Sequence, residues 1–217
     1  LGMTATPIPR PLAMYGYCDL DHSIICALLP GRKEVKTVHR YDSNRLAVFK
    51  FMKQEIEKGR QVYVVYPLIQ ESQAMDYKDL MDGYESISRE FPVPEYQISI
   101  VHGKMKATDK EYEMQRFVKG ETQIMVATTV IEVGVNVPNA SIMVIESSER
   151  FGLSQLHQLR GRVGRGADQS YCVLLSSFKL SSEAKTRLKT MVETSDGFKI
   201  AEVDLKLRGP GNMMGTQ

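Results

Sequence analysis

Residues Gln158-Leu159-Arg160-Gly161-Arg162-Val163-Gly164-Arg165 place three arginines and two glycines in their last six positions. Such a run is costly to build into an ordinary helix interior. Guanidinium clamps phosphate or carboxylate oxygens through paired N–H donors and stays charged in a cleft. The glycines let a backbone come close to something bulky and anionic. On residue types alone, the chemistry offered is stabilisation of a polyanion, with a solvated basic loop as the plain alternative. The glycines at 161, 164 and 166 run G-x-x-G-x-G, which excludes a GxGxxG dinucleotide turn.

Two apolar runs upstream must position this segment. Residues 124–128 (IMVAT) and 141–146 (SIMVIE) suit buried parallel strands. Between them, Gly134, Asn136 and Pro138 mark a loop leaving the first strand's carboxyl end, where open α/β sheets place ligand contacts. Residues 35–38, 61–68, 97–102 and 171–176 also read as strands, and 45–58, 73–91, 108–119 and 153–159 as helices. Leu46, Phe49, Met52 and Ile56 are the expected buried face of the helix at 45–58, and Thr108 with Glu111 an expected capping box. This alternation predicts an α/β fold, a parallel sheet with helices on both faces.

Farther on, Ala184, Leu188 and Met191 share one helix face, with Gly197 expected as a C-cap. Residues 198–207 fit a helix or a strand equally well. At the start, 4–7 (TATP) suits a strand end and 11–15 a helix, and the chain reads as a piece of something larger.

Composition excludes some classes. The 217 residues carry a net charge of +2, but residues 150–217 hold 11 basic and 6 acidic side chains, a modest pointer to polyanions. No apolar run approaches the roughly 20 residues needed to span a bilayer. Cys18, Cys26 and Cys172 form no CxxC pair, so free thiols in a reducing cytoplasm are expected and a zinc site is not.

Residues 127–138 (ATTVIEVGVNVP) followed by 155–165 (QLHQLRGRVGR) resemble motifs V and VI of superfamily 2 helicases, and 4–10 (TATPIPR) resembles motif III. Residues 28–37 (LLPGRKEVKT), 65–72 (VYPLIQES), 101–106 (VHGKMK) and 196–217 (DGFKIAEVDLKLRGPGNMMGTQ) are similar to the RecG family of ATP-dependent DNA helicases. The transcription-repair coupling factors share the motor motifs and are the nearest alternative. A nucleic-acid-binding module on a RecA-like fold is the reading from another class.

The resemblance implies a motif III segment at 1–16, a second RecA-like motor domain at 17–177, and a translocation-motif helical hairpin and loop at 178–217. It implies ATP and Mg2+ as cofactors, bound mainly by a first motor domain, since the chain has no Walker A sequence and no Walker B acidic box. ATPase activity is therefore not expected of this stretch alone. Expected partners are branched double-stranded DNA and the first motor and wedge domains of the same protein, with no membrane.

By the same resemblance, Arg162 and Arg165 are arginine fingers. Gln158 faces the nucleotide cleft, and Gly134 and Asn136 shape its floor. Thr4 and Thr6 link nucleotide state to DNA grip, and His102, Gly103, Lys104 and Thr128 contact DNA phosphates. Arg187 and Arg208 belong to the translocation hairpin.

Overall fold

The computed structural model describes residues 32–68, 73–128, 136–166 and 168–209. Six strands form one sheet: β1 (Lys36–Tyr41), β2 (Gln61–Tyr66), β3 (Ile98–Val101), β4 (Ile124–Thr128), β5 (Ala140–Ile145) and β6 (Tyr171–Ser176). Their order is β1-β6-β5-β2-β4-β3, and all five pairings are parallel. The expected parallel α/β sheet is therefore present. Parallel strands covered on both sides read as unbroken apolar runs, and β2, β4 and β5 are buried at every position.

Helices α1 (Arg45–Glu57) and α2 (Gln73–Glu90) cover one face. There Phe49, Met52, Leu80, Ile87 and Phe91 pack on Val62, Val64, Val126 and Val144. Each such side chain, taken fully out of water, contributes about 1.5–3 kcal/mol. Helices α3 (Ala107–Val118), α4 (Leu153–Arg160), α5 (Ser182–Glu193) and α6 (Gly197–Arg208) supply the other face. Phe117, Leu156, Leu188, Met191 and Ile200 meet Tyr63, Met125, Met143 and Leu174 in one cluster.

Several local expectations need correction. Leu46 is 72% exposed, and the buried face of α1 is Val48, Phe49, Met52 and Glu55. Glu55 is tolerated inside because Lys58 Nζ (3.0 Å) and the Ser141 hydroxyl (3.2 Å) both donate to its carboxylate. Thr108 makes no capping box, because α3 starts one residue earlier with Lys106 at its N-cap. Gly197 is the first residue of α6 and not a C-cap. The chain leaves α5 through extended Thr194, and Asp196 then caps the next helix by accepting the Phe198 N–H at 2.9 Å. Residues 198–207 are thus helical, because this cap starts a turn whose Ile200 and Ala201 reach the core. The readings for residues 4–10, 11–15 and 28–31 lie outside the described residues.

Candidate functional site

The sheet has two ends, and the candidate residues divide between them. Helix α4 follows the carboxyl end of β5 and runs back along the sheet, so the arginine segment emerges at the amino-terminal edge. The carboxyl edge, where the sequence pointed, carries the other group.

At the amino edge, Gln158 is exposed on α4, and Arg162 and Arg165 are half-buried just beyond its end. Arg165 Nε donates to the Gly161 carbonyl at 3.3 Å. The Arg162 guanidinium makes no hydrogen bond or ion pair among the described residues. The Tyr63 hydroxyl has its pKa pushed up to about 12 by burial, and the charges of Arg162 and Arg165 oppose that rise. Asn136 is exposed on the segment that enters β5 at this same edge. Gly134, Thr4 and Thr6 lie outside the described residues.

Arg160 belongs to another class. It is 4% exposed and donates to the Met191 carbonyl (2.6 Å) and the Thr37 hydroxyl (3.2 Å). Its Nη2 also lies 3.2 Å from His157 Nδ1, which acts as acceptor from a guanidinium that has no acceptor of its own. Burial first, and the Arg160 charge second, hold the His157 imidazole down at about 4. The first arginine of the run is therefore a brace joining α4 to β1 and α5. Leu153, Leu156 and Arg160 stand at i, i+3 and i+7, a spacing that already placed Arg160 on the buried face.

Arg60 was missed by sequence reasoning. Its guanidinium donates to Asp168 Oδ2 (2.8 Å), Asn139 Oδ1 (3.3 Å) and the Pro138 carbonyl (3.5 Å), tying the segment before β5 to the loop after α4. The only sequence signal was an arginine between a helix-ending glycine and a buried strand. The loop glycines have local reasons as well. Gly164 sits at φ +78°, and a Cβ on Gly166 would lie 2.8 Å from the Pro138 carbonyl oxygen.

The carboxyl edge gathers His102, Gly103 and Lys104 just after β3, with Thr128 at the end of neighbouring β4. Lys104 and Gly103 are exposed and His102 is half-buried. Burial first, then Lys104 and Lys110, lower the His102 pKa below its ordinary value. Its Nδ1 accepts the Lys104 backbone N–H at 3.3 Å, which leaves the proton of the neutral ring on Nε2. Thr128 is 2% exposed, and its hydroxyl is buried with no partner among the described residues. Of these four it offers least to an outside ligand. Glu146, at the end of β5, is buried and paired with Arg45, whose Nη2 lies 2.9 Å from its carboxylate. That carboxylate is not free to repel an anion.

Arg187 and Arg208 lie apart from both groups. Arg187 Nη2 donates to the Glu149 carbonyl at 2.8 Å, clamping α5 to the turn after β5. Arg208, half-exposed at the end of α6, pairs with Asp204 at 3.1 Å.

Residues 46–167, which include every strand but the first and last, match the family described as helicase conserved C-terminal domain. The chain belongs to that family. Residues 194–217 also match the domain 3 C-terminal region of ATP-dependent DNA helicase RecG. The whole chain is 48% identical to RecG of Synechocystis over 217 residues and covers 26% of that protein. It is 50% identical to RecG of Aquifex aeolicus over 219 residues, covering 27%, and 50% identical to RecG of Escherichia coli K12 over 216 residues, covering 31%. The chain thus spans between a quarter and a third of the length of these relatives. A structure of RecG bound to a three-way DNA junction superposes with a TM-score of 0.78 at 45% identity, over 97% of this chain and 27% of that one. The helicase MrfA bound to DNA, at 15% identity and a TM-score of 0.52 over 70% of this chain and 21% of that one, shares the fold alone.

Within this family the sheet is the RecA-like helicase C-terminal fold that the resemblance implied, and helicase family membership implies ATP use. Among the described residues, no helix is long and apolar enough to cross a membrane, and no group of three His, Cys, Asp or Glu side chains could hold a metal ion.

Proposed function

We propose that this chain is the second RecA-like motor domain and translocation hairpin of a RecG-like ATP-dependent DNA helicase that remodels branched DNA, such as stalled forks and Holliday junctions, in recombination and repair. The observation that carries the reading is the amino-edge loop. Among the described residues the Arg162 guanidinium has no protein partner, and that of Arg165 is held only by a backbone carbonyl. Beside them, Arg160 bonds to Met191 and Thr37, and both Nη atoms of Arg60 bond to the segments flanking β5 and α4, which fixes the loop. A buried brace under unpaired guanidinium groups suits an anion that arrives from outside, and the triphosphate of ATP fits that donor set.

In this reading Arg162 and Arg165 reach across an interdomain cleft toward the γ-phosphate and stabilise negative charge as it develops, while Gln158, Gly134 and Asn136 line the same cleft. ATP would supply the anhydride whose cleavage drives movement, and Mg2+, bound mainly from the first motor domain, would supply neutralisation of its phosphates. His102, Gly103 and Lys104 form the DNA-facing edge, with Thr128 buried at the end of β4 next to it. Thr4 and Thr6 couple the two sites. Residues 1–16 carry the motif III segment and linker, 17–177 the motor domain, and 178–217 the hairpin that includes Arg187 and Arg208. The partners are branched duplex DNA and the first motor and wedge domains of the same protein, in the cytoplasm.

The test is ATP turnover by the complete protein with a forked DNA, a linear duplex and no DNA. The proposal expects turnover that rises most on the fork, together with separation of the fork's strands. Turnover indifferent to DNA, with no remodelling, overturns it.

A further inference from the structure

The carboxyl edge contains an aromatic residue that neither the motifs nor the proposed roles include. Tyr77 stands near the start of α2, 37% exposed. Its ring centroid lies 4.4 Å from Lys104 Nζ and 5.1 Å from the His102 ring, which meets it at 69°. The Lys104 backbone N–H closes the corner on His102 Nδ1.

We propose that Tyr77 is a positioning residue that holds the Lys104 ammonium and the His102 imidazole as one donor pair for a backbone phosphate of DNA. The inference rests on the reading that this edge binds DNA. A lysine ammonium has three N–H donors on a flexible stem, and left free it samples many rotamers. One side of the ammonium on a ring face leaves other donors pointing outward, and the ring quadrupole favours that arrangement. Lys104 forms no ion pair with a carboxylate among the described residues, so its charge is not already spent. His102 contributes Nε2–H, because its Nδ1 is occupied. Two outward donors and one unpaired positive charge match the oxygens of a phosphodiester. The Tyr77 hydroxyl has no part in this, so phenylalanine should replace tyrosine and leucine should not.

The experiment measures binding of the complete protein to a three-way DNA junction across a salt series for wild type, Tyr77→Phe, Tyr77→Leu, Lys104→Ala and the Tyr77→Leu/Lys104→Ala double variant. Lys104→Ala is expected to weaken binding about fivefold and reduce the salt-dependence slope by about 1. Tyr77→Leu is expected to weaken it about two- to fivefold, Tyr77→Phe to match wild type, and the double variant to match Lys104→Ala alone. A leucine that merely loosened α2 would weaken binding in the Lys104→Ala background too, and that additivity overturns the inference. So does wild-type binding by Tyr77→Leu when Lys104→Ala is weak. If Lys104→Ala itself binds like wild type, the DNA-facing reading of this corner fails instead.

Discussion

The two edges of the sheet are built on opposite plans. At the amino edge, buried Arg160 and half-buried Arg60 both bond to other parts of the protein, so that the loop carrying Arg162 and Arg165 is fixed while those two stay open. At the carboxyl edge, among the described residues, no buried arginine holds Lys104 in place. A ring face and one histidine hold it, and it is itself exposed. A rigid mount suits charge stabilisation at a reacting phosphoryl group, where the cation must already be in place. A lightly held cation suits the role proposed for this edge, in which a DNA strand is gripped and released. The difference teaches that arginine count says little about function until each guanidinium's partners are known.

The largest effect expected from breaking this contrast is on turnover. Arg165→Ala in the complete protein should lower kcat for ATP about 10³-fold or more, measured by phosphate release. Its thermal midpoint should stay near that of wild type, because Arg165 makes only one weak internal bond.

Arg160→Ala should do the reverse kind of damage. It removes a buried cation and leaves the Met191 carbonyl without its donor, which costs on the order of 3 kcal/mol of stability. Chemical denaturation of Arg160→Ala beside Arg162→Ala checks this, with the second expected within about 0.5 kcal/mol of wild type.

A third prediction concerns acid. The folded His157 titrates at about 4 against an ordinary value of 6.5, so its contribution to stability is complete above pH 6.5 and is lost as pH falls toward 4. That difference corresponds to roughly 3 kcal/mol. His157→Gln should flatten the wild-type loss of stability between pH 6.5 and 4. An unchanged slope would mean that the imidazole is not the group responsible.

The smallest effect is expected at Arg208, whose exposed pair with Asp204 contributes no more than about 0.5 kcal/mol. Arg208→Ala should therefore unfold like wild type while slowing fork remodelling, a separation read by comparing denaturation midpoints with unwinding rates.

Much of this was legible in the chain. The strands at 124–128 and 171–176 match the structure residue for residue, because runs buried on both faces leave no polar position to blur their ends. The arginine segment stood out in the sequence by its residue types and spacing. Its location was not legible, because the eight residues of α4 carry the chain back across the sheet, and no local pattern says at which edge a loop will emerge. Arg160 and Arg162 are the same residue type two positions apart, and only the helix phase set by Leu153 and Leu156 separates brace from open cation. Arg60 was invisible because its partners, Asn139 and Asp168, are remote in sequence and join it only once β2 and β5 pair. Residues 198–207 were undecidable by periodicity, and the Asp196 cap settled them.

The most direct test of the two-edge account is a crossed measurement on the complete protein: ATP turnover at saturating forked DNA, and fork affinity, each for Arg165→Ala and Lys104→Ala. The account predicts that Arg165→Ala loses turnover and keeps its affinity for the fork, while Lys104→Ala loses affinity and keeps kcat once DNA is saturating. Arg165→Ala that turns over ATP at the wild-type rate, or that loses the fork, would contradict it.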